Sequence, residues 1–214
     1  MRINPTFCTR TTVGAIGPGR PNTACLSAVF LAATLELAAV GEGTVRGRIT
    51  CPSLSDCGGA VVYVEKIPGR RFAPGPRATM DQVRLAFVPH VLHVVTGTTV
   101  AFPNSDDVRH NVFSASKAKR FNLGTYPKGV TRHVVFDTPG LVELLCNVHA
   151  EMSAYIIVAD TPYAEPVQAD GSYVLMNVPA GTLTVTAWHE KLREQRQVVT
   201  VRELETVTLN FDLR

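Results

Sequence analysis

The sequence predicts an all-β protein, and three observations carry that prediction. Beyond residue 42 the apolar residues recur with a period of two, the mark of half-buried antiparallel strands. The alternating stretches are short and bounded by Gly, Pro, Asn and Asp. The composition agrees: 16 Gly and 14 Pro among 214 residues supply turns, and 45% hydrophobic residues supply a core.

The elements follow in order. Arg2, Arg10 and Arg20 precede an apolar run from Ala24 to Leu35, and Ala39-Val40-Gly41 offers small residues at the −3 and −1 positions of a cleavage site. The run is shorter than the roughly 18 residues a membrane span needs. Residues 1–41 therefore read as a secretory signal peptide cleaved before Glu42, which implies a periplasmic protein. Thr44–Thr50 alternates as a strand, and Ala60–Val64 follows as another. Residues 67–79, rich in Pro, Gly and Arg, have no period and read as a loop or linker. Strands are then expected at Thr98–Phe102, Leu141–Leu145 and Tyr155–Val158. In the tail, Asp170-Gly171 and Val178-Pro179-Ala180-Gly181 mark turns. Thr182–Trp188 alternates strictly, and so do Val207, Leu209, Phe211 and Leu213 against Thr208, Asn210 and Asp212.

The chemistry concentrates in the run Cys146-Asn147-Val148-His149-Ala150-Glu151-Met152, with His110 far upstream. One thiolate, two imidazoles and one thioether form the trigonal-plus-axial set of a blue-copper site. The strand ending at Leu145 runs into Cys146, and the strand at Tyr155 leaves Met152. Three ligands thus share one loop on a rigid β scaffold. Asn111, next to His110, is a candidate to brace the loop beside the sulfur. The bland alternative makes His110 a polar loop residue and Cys146 a buried apolar one.

Phe87-Val88-Pro89, Gly97–Asn104, His110-Asn111-Val112-Phe113-Ser114 and the Cys146–Met152 loop resemble the cupredoxins. The C-x2-H-x2-M spacing is similar to amicyanin- and pseudoazurin-type members. Phe121–Tyr126 resembles plastocyanin-like methylamine-utilisation proteins. The resemblance covers roughly residues 80–160. It implies a Greek-key β-sandwich holding one type 1 copper on His110, Cys146, His149 and Met152. The chain departs from many relatives at Asn147, which bears on the potential rather than on the metal. Asp170–Tyr173, Val178–Gly181 and Ala187-Trp188-His189 resemble carboxypeptidase-regulatory-like, transthyretin-type sandwiches, and Thr44–Val64 resembles their early strands. The domain expectation is therefore 1–41 signal peptide, 42–79 early strands, 80–160 copper domain and 161–214 the remaining sandwich, with the second domain split around the first.

Cys8 and Cys25 depart with the signal. Cys51 and Cys57 flank a Pro-Ser-Leu-Ser-Asp turn and are candidates for a disulfide in an oxidising compartment, with two free thiols as the alternative. Cys146 is left single, as a metal thiolate would be. Loss of the signal leaves a near-neutral chain, which gives no reason to expect nucleic-acid binding. Lys117, Lys119 and Arg120, with Lys128 and Arg132, form a basic patch, either a solvated loop or a docking surface for an acidic redox partner. His90 and His93, three apart on an expected strand, should face opposite ways. The chain has no His-x-His for a multicopper enzyme and no C-x-x-C-H for haem. A zinc site would want a second Cys/His pair rather than Met. The expectation is an electron carrier rather than an enzyme. Copper chaperone or storage protein, and non-redox binding module for ligands such as carbohydrate, remain open.

Overall fold

Residues 41–53 and 57–214 are described in the computed structural model. The signal segment expected ahead of Gly41 lies outside the described residues. Two strands come first, β1 (Glu42–Thr50) and β2 (Val61–Val64). Ten follow: β3 (Ala78–Thr79), β4 (Asp81–Val83), β5 (Ala86–Val88), β6 (Val91–Val95), β7 (Thr98–Pro103), β8 (His110–Ser114), β9 (Phe121–Tyr126), β10 (Thr131–Phe136), β11 (Gly140–Leu145) and β12 (Ser153–Ala159). The tail adds β13 (Ala164–Pro166), β14 (Ser172–Pro179), β15 (Gly181–Trp188), β16 (Gln195–Val201), β17 (Thr206–Thr208) and β18 (Phe211–Asp212).

The strands form two sandwiches, each with its own core. In one, the sheet β14-β1-β17, with β18 also on β1, faces the sheet β13-β2-β15-β16. Val45, Ile49, Val62, Val64, Leu175, Leu183 and Val185 fill the space between them. In the other, β10-β7-β3 faces β6-β12-β11-β8-β9 over Phe102, Phe136, Val142, Leu144 and Ile156. The first sandwich draws β1 and β2 from before the second and six strands from after it. The chain leaves β2 and returns to pair β13 with it, Ala164 opposite Tyr63 and Pro166 opposite Val61.

Period two explains how the sandwiches meet. On β12, Ala154, Ile156 and Val158 point into one core, while Tyr155 and Ile157 point the other way. On β2 and β15, Val61, Tyr63 and Trp188 turn outward to meet them. The Tyr155 and Trp188 rings lie 5.0 Å apart between centroids. His90 bonds Glu190 at 2.8 Å at the edge of this contact, and the His93 ring lies 6.4 Å from that of Tyr63. Both imidazoles thus face the other sandwich, against the expectation of opposite faces. His90 sits in a bend ahead of β6, so the strand alternation does not reach it.

Strand direction also departs from the expectation. The ladders are not antiparallel throughout: β17 and β18 run parallel to β1, β3 to β7 and β6 to β12. Alternation specifies which face a residue takes but not the direction of its neighbour. The segment Val207–Leu213 also breaks at Leu209-Asn210, where it runs beside Gly47 of β1 without a change of register. A Cβ on Gly47 would collide with the Leu209 carbonyl oxygen, so only glycine admits that close approach. Cys51 and Cys57 are joined by a disulfide at the end of β1, their Cα atoms 5.7 Å apart. Among the described residues, no helix is long and apolar enough to cross a membrane.

Candidate metal centre

The Cys146–Met152 loop and the first residue of β8, at one end of the second sandwich, carry the candidate ligands. β11 and β12 pair up to Leu145 opposite Ser153, so Cys146–Met152 is their connecting loop. The Cys146 N–H bonds the Met152 carbonyl at 3.3 Å, and the Met152 N–H bonds the His149 carbonyl at 3.1 Å. These bonds close the loop and fix its ligands. β8 runs antiparallel beside β11, with Phe113 opposite Leu145. Continuing that register by three residues brings His110 beneath the loop.

The side chains converge accordingly. The ligating atoms of His110, Cys146 and His149 all lie within 4.8 Å of one another. His110 is fully buried, Cys146 is 5% exposed and His149 is half-buried. The two imidazoles present Nδ1 to each other at 3.0 Å. Cys146 is the free cysteine among the described residues. Its sulfur accepts the Val148 N–H at 3.4 Å. Met152 is buried with Cys146 in the same core cluster, at the foot of the loop.

Asn111 is buried beside His110, and its Oδ1 has no hydrogen-bond partner. The donor that reaches the sulfur is the main chain of Val148, not the Asn111 side chain. The residue that sequence reasoning missed is Asp106. Its Oδ2 lies 2.8 Å from His110 Nε2, and its carboxylate is 12% exposed. Burial alone would raise this carboxyl's pKa. The Leu85 N–H, His110 and the Arg84 N–H outweigh burial and hold it below the usual carboxylate value. The one available signal was an acid four residues before a candidate ligand, within the loop Pro103-Asn104-Ser105-Asp106-Asp107.

The basic patch is partly neutralised. Lys119 pairs with Asp137 at 2.9 Å and Lys128 with Asp107 at 2.6 Å, while Lys117, Arg120 and Arg132 make no ion pair among the described residues.

The donor set fits copper. A thiolate and two neutral imidazoles, brought together in a largely buried space, suit both oxidation states of that metal better than they suit a hard cation. The closed loop and the fixed β8 register hold the set in place.

No protein-family model and no curated protein sequence matches the chain. Among solved structures, part of the chain is similar to the copper-containing nitrite reductase of Thermus scotoductus SA-01, at 26% identity and a TM-score of 0.38, over 46% of this chain and 25% of that one. It thus spans a quarter of that reductase chain. A P52G mutant of amicyanin in its reduced Cu(I) form overlaps at 20% identity and TM-score 0.36, over 40% of this chain and 91% of that one. A purple cupredoxin from Nitrosopumilus maritimus overlaps at 24% identity and TM-score 0.35, over 38% and 99%.

Proposed function

We propose that this chain is a periplasmic one-electron carrier holding a single type 1 copper ion on His110, Cys146, His149 and Met152. The observation that supports it most is the convergence of one cysteine sulfur and two imidazole nitrogens within 4.8 Å at a buried site. Bound copper supplies a one-electron couple between Cu(I) and Cu(II). The chain's own residues do the rest. Cys146 gives the strong sulfur ligand, steadied by the Val148 N–H. His110 and His149 would supply two imidazole nitrogens, and Met152 would supply a weaker thioether sulfur. His149 is the partly exposed member of the set, so a redox partner would approach the site on its side. The closed loop limits rearrangement on electron transfer.

In this reading residues 80–160 are a cupredoxin-like domain. Residues 42–79 and 161–214 make a regulatory-like sandwich of structural or partner-docking role. An acidic redox partner docks near Lys117, Lys119 and Arg120, with Lys117 and Arg120 free for it. The signal segment delivers the chain to the periplasm, where mass spectrometry of the exported protein should find a new N-terminus near Glu42.

The decisive experiment is an optical spectrum and voltammogram of the copper-loaded protein. An intense visible thiolate-to-copper band and a reversible one-electron wave are expected, and Cys146→Ser should abolish the band. A colourless loaded protein without a redox wave would refute the carrier. Tight copper retention without that wave would instead identify a storage protein or chaperone.

A further inference from the structure

Resting on the metal-centre reading, we propose that Asp106 is the positioning residue of this site: clamped by the tip of the β4–β5 hairpin, it fixes His110 with its proton on Nε2 and its Nδ1 lone pair toward Cys146 and His149.

A neutral imidazole carries one proton, and whichever nitrogen holds it cannot ligate. His110 Nδ1 faces His149 Nδ1 at 3.0 Å, in the space shared with the cysteine sulfur. The ring is fully buried, so bulk solvent does not choose the tautomer. An ionised carboxylate only accepts. Asp106 Oδ2, 2.8 Å from Nε2, therefore draws the proton to that nitrogen and leaves Nδ1 free to ligate.

The carboxylate is itself held. Oδ1 accepts the Arg84 N–H and Oδ2 accepts the Leu85 N–H at 2.8 Å. These two residues are the turn between β4 and β5, and both are left-handed, with φ of 52° and 61°. Such a two-residue turn ordinarily uses Asn-Gly, and non-glycine residues there are strained. Here the strained turn aims two adjacent N–H groups at one carboxylate. The loop is braced from below as well. The Asp106 N–H bonds Asn104 Oδ1 at 2.9 Å, and buried Asn104 donates from Nδ2 to the Val108 and Tyr126 carbonyls at 2.9 and 3.1 Å. Ser105 is tied to β4 through the Gln82 carbonyl and the Asp81 carboxylate, at 3.0 and 2.7 Å. Asp107, the next residue, does none of this. Its side chain is 91% exposed and pairs with Lys128.

Imidazole-resolved nitrogen NMR of the metal-free protein reads the tautomer directly. The wild type should show a single Nε2–H form of His110 with a slowly exchanging proton, and Asp107→Asn should match it. Asp106→Ala should mix the tautomers and speed exchange. Asp106→Asn, which keeps an oxygen acceptor, should restore part of the protection. Cu(I) affinity, measured by chelator competition, should fall about 10- to 100-fold in Asp106→Ala, the range for losing a partner of a ligating histidine. An Nδ1–H form in the wild type overturns the proposal even if the alanine variant fails to fold. So does an Asp106→Ala protein with unchanged tautomer and affinity. The tautomer result does not depend on electron transfer. A colourless, redox-silent protein with the expected tautomer would sink the carrier and leave the positioning role standing.

Discussion

Keeping His93 neutral should make stability depend on pH. The ring sits on β6 at the contact between the sandwiches, near Tyr63. It bonds the Thr161 backbone, and its Nε2 has no hydrogen-bond partner. Burial lowers its pKa from 6.5 to about 4, against a smaller opposing effect of the Thr161 bond. In the unfolded chain the imidazole takes a proton as pH falls through 6.5, while the folded protein resists until about 4. The contribution is therefore fully present above pH 6.5 and is lost as pH falls through that window. A pKa lowered from 6.5 to about 4 corresponds, at about 1.36 kcal/mol per tenfold change in proton affinity, to about 3 kcal/mol. Urea unfolding at stepped pH, with a chelator present, should be compared between the wild type and His93→Phe. Phenylalanine keeps a ring and removes the titration. Losing the Thr161 bond shifts the variant's curve by a constant, whereas the wild-type advantage should shrink by about 3 kcal/mol between pH 6.5 and 4. Parallel curves would show that the ring is solvated in the native state and that the argument from burial is wrong.

Other outcomes follow from the same structure. Gly47→Ala should destabilise the protein by about 3–5 kcal/mol in urea, because its Cβ meets main-chain atoms of Leu209 rather than a side chain that can move. Met152→Gln should keep copper but lower the reduction potential in voltammetry, since a harder axial oxygen favours Cu(II). A fragment of residues 80–160 should fold and take up copper, whereas a fragment from residue 162 onward should show no cooperative unfolding by circular dichroism, because it lacks β1 and β2.

The legible and illegible parts of this protein divide by distance along the chain. The Cys146–Met152 run and its flanking strands stand out because type, spacing and context lie within a few residues. Alternation also assigns Leu183, Val185 and Ala187 to one face of β15, where they line the core. Asp106 was hidden because two adjacent aspartates in a polar loop look alike. Only the fold tells that one grips His110 while the other reaches Lys128. The Lys119–Asp137 pair joins residues brought together by the sheets, so the basic patch looked more highly charged than it is. The parallel run of β17 and β18 along β1 was equally out of reach, because a period of two carries no direction.

The pairing of β2 with β13 draws the two ends of the intervening sandwich together. The chain departs at Glu65 and comes back at Asp160, where the Asp160 N–H bonds the Glu65 carbonyl at 2.9 Å. Thr161 Oγ1 bonds the Val64 carbonyl, and the Val64 N–H bonds the Tyr163 carbonyl. The ten strands from β3 to β12 therefore hang from the tip of a hairpin whose two legs are stitched together at the neck. A payload on two adjacent tethers has far less freedom to swivel than one on a single linker, so the ligand loop is carried at a set distance from the hairpin's own sheet. The neck is also a seam: a short turn joining Glu65 to Asp160 would close β2 and β13 as an ordinary hairpin, but it would uncover Val61, Tyr63 and Trp188 and take Ile67 out of the host core, so a grafted β module must cover that face.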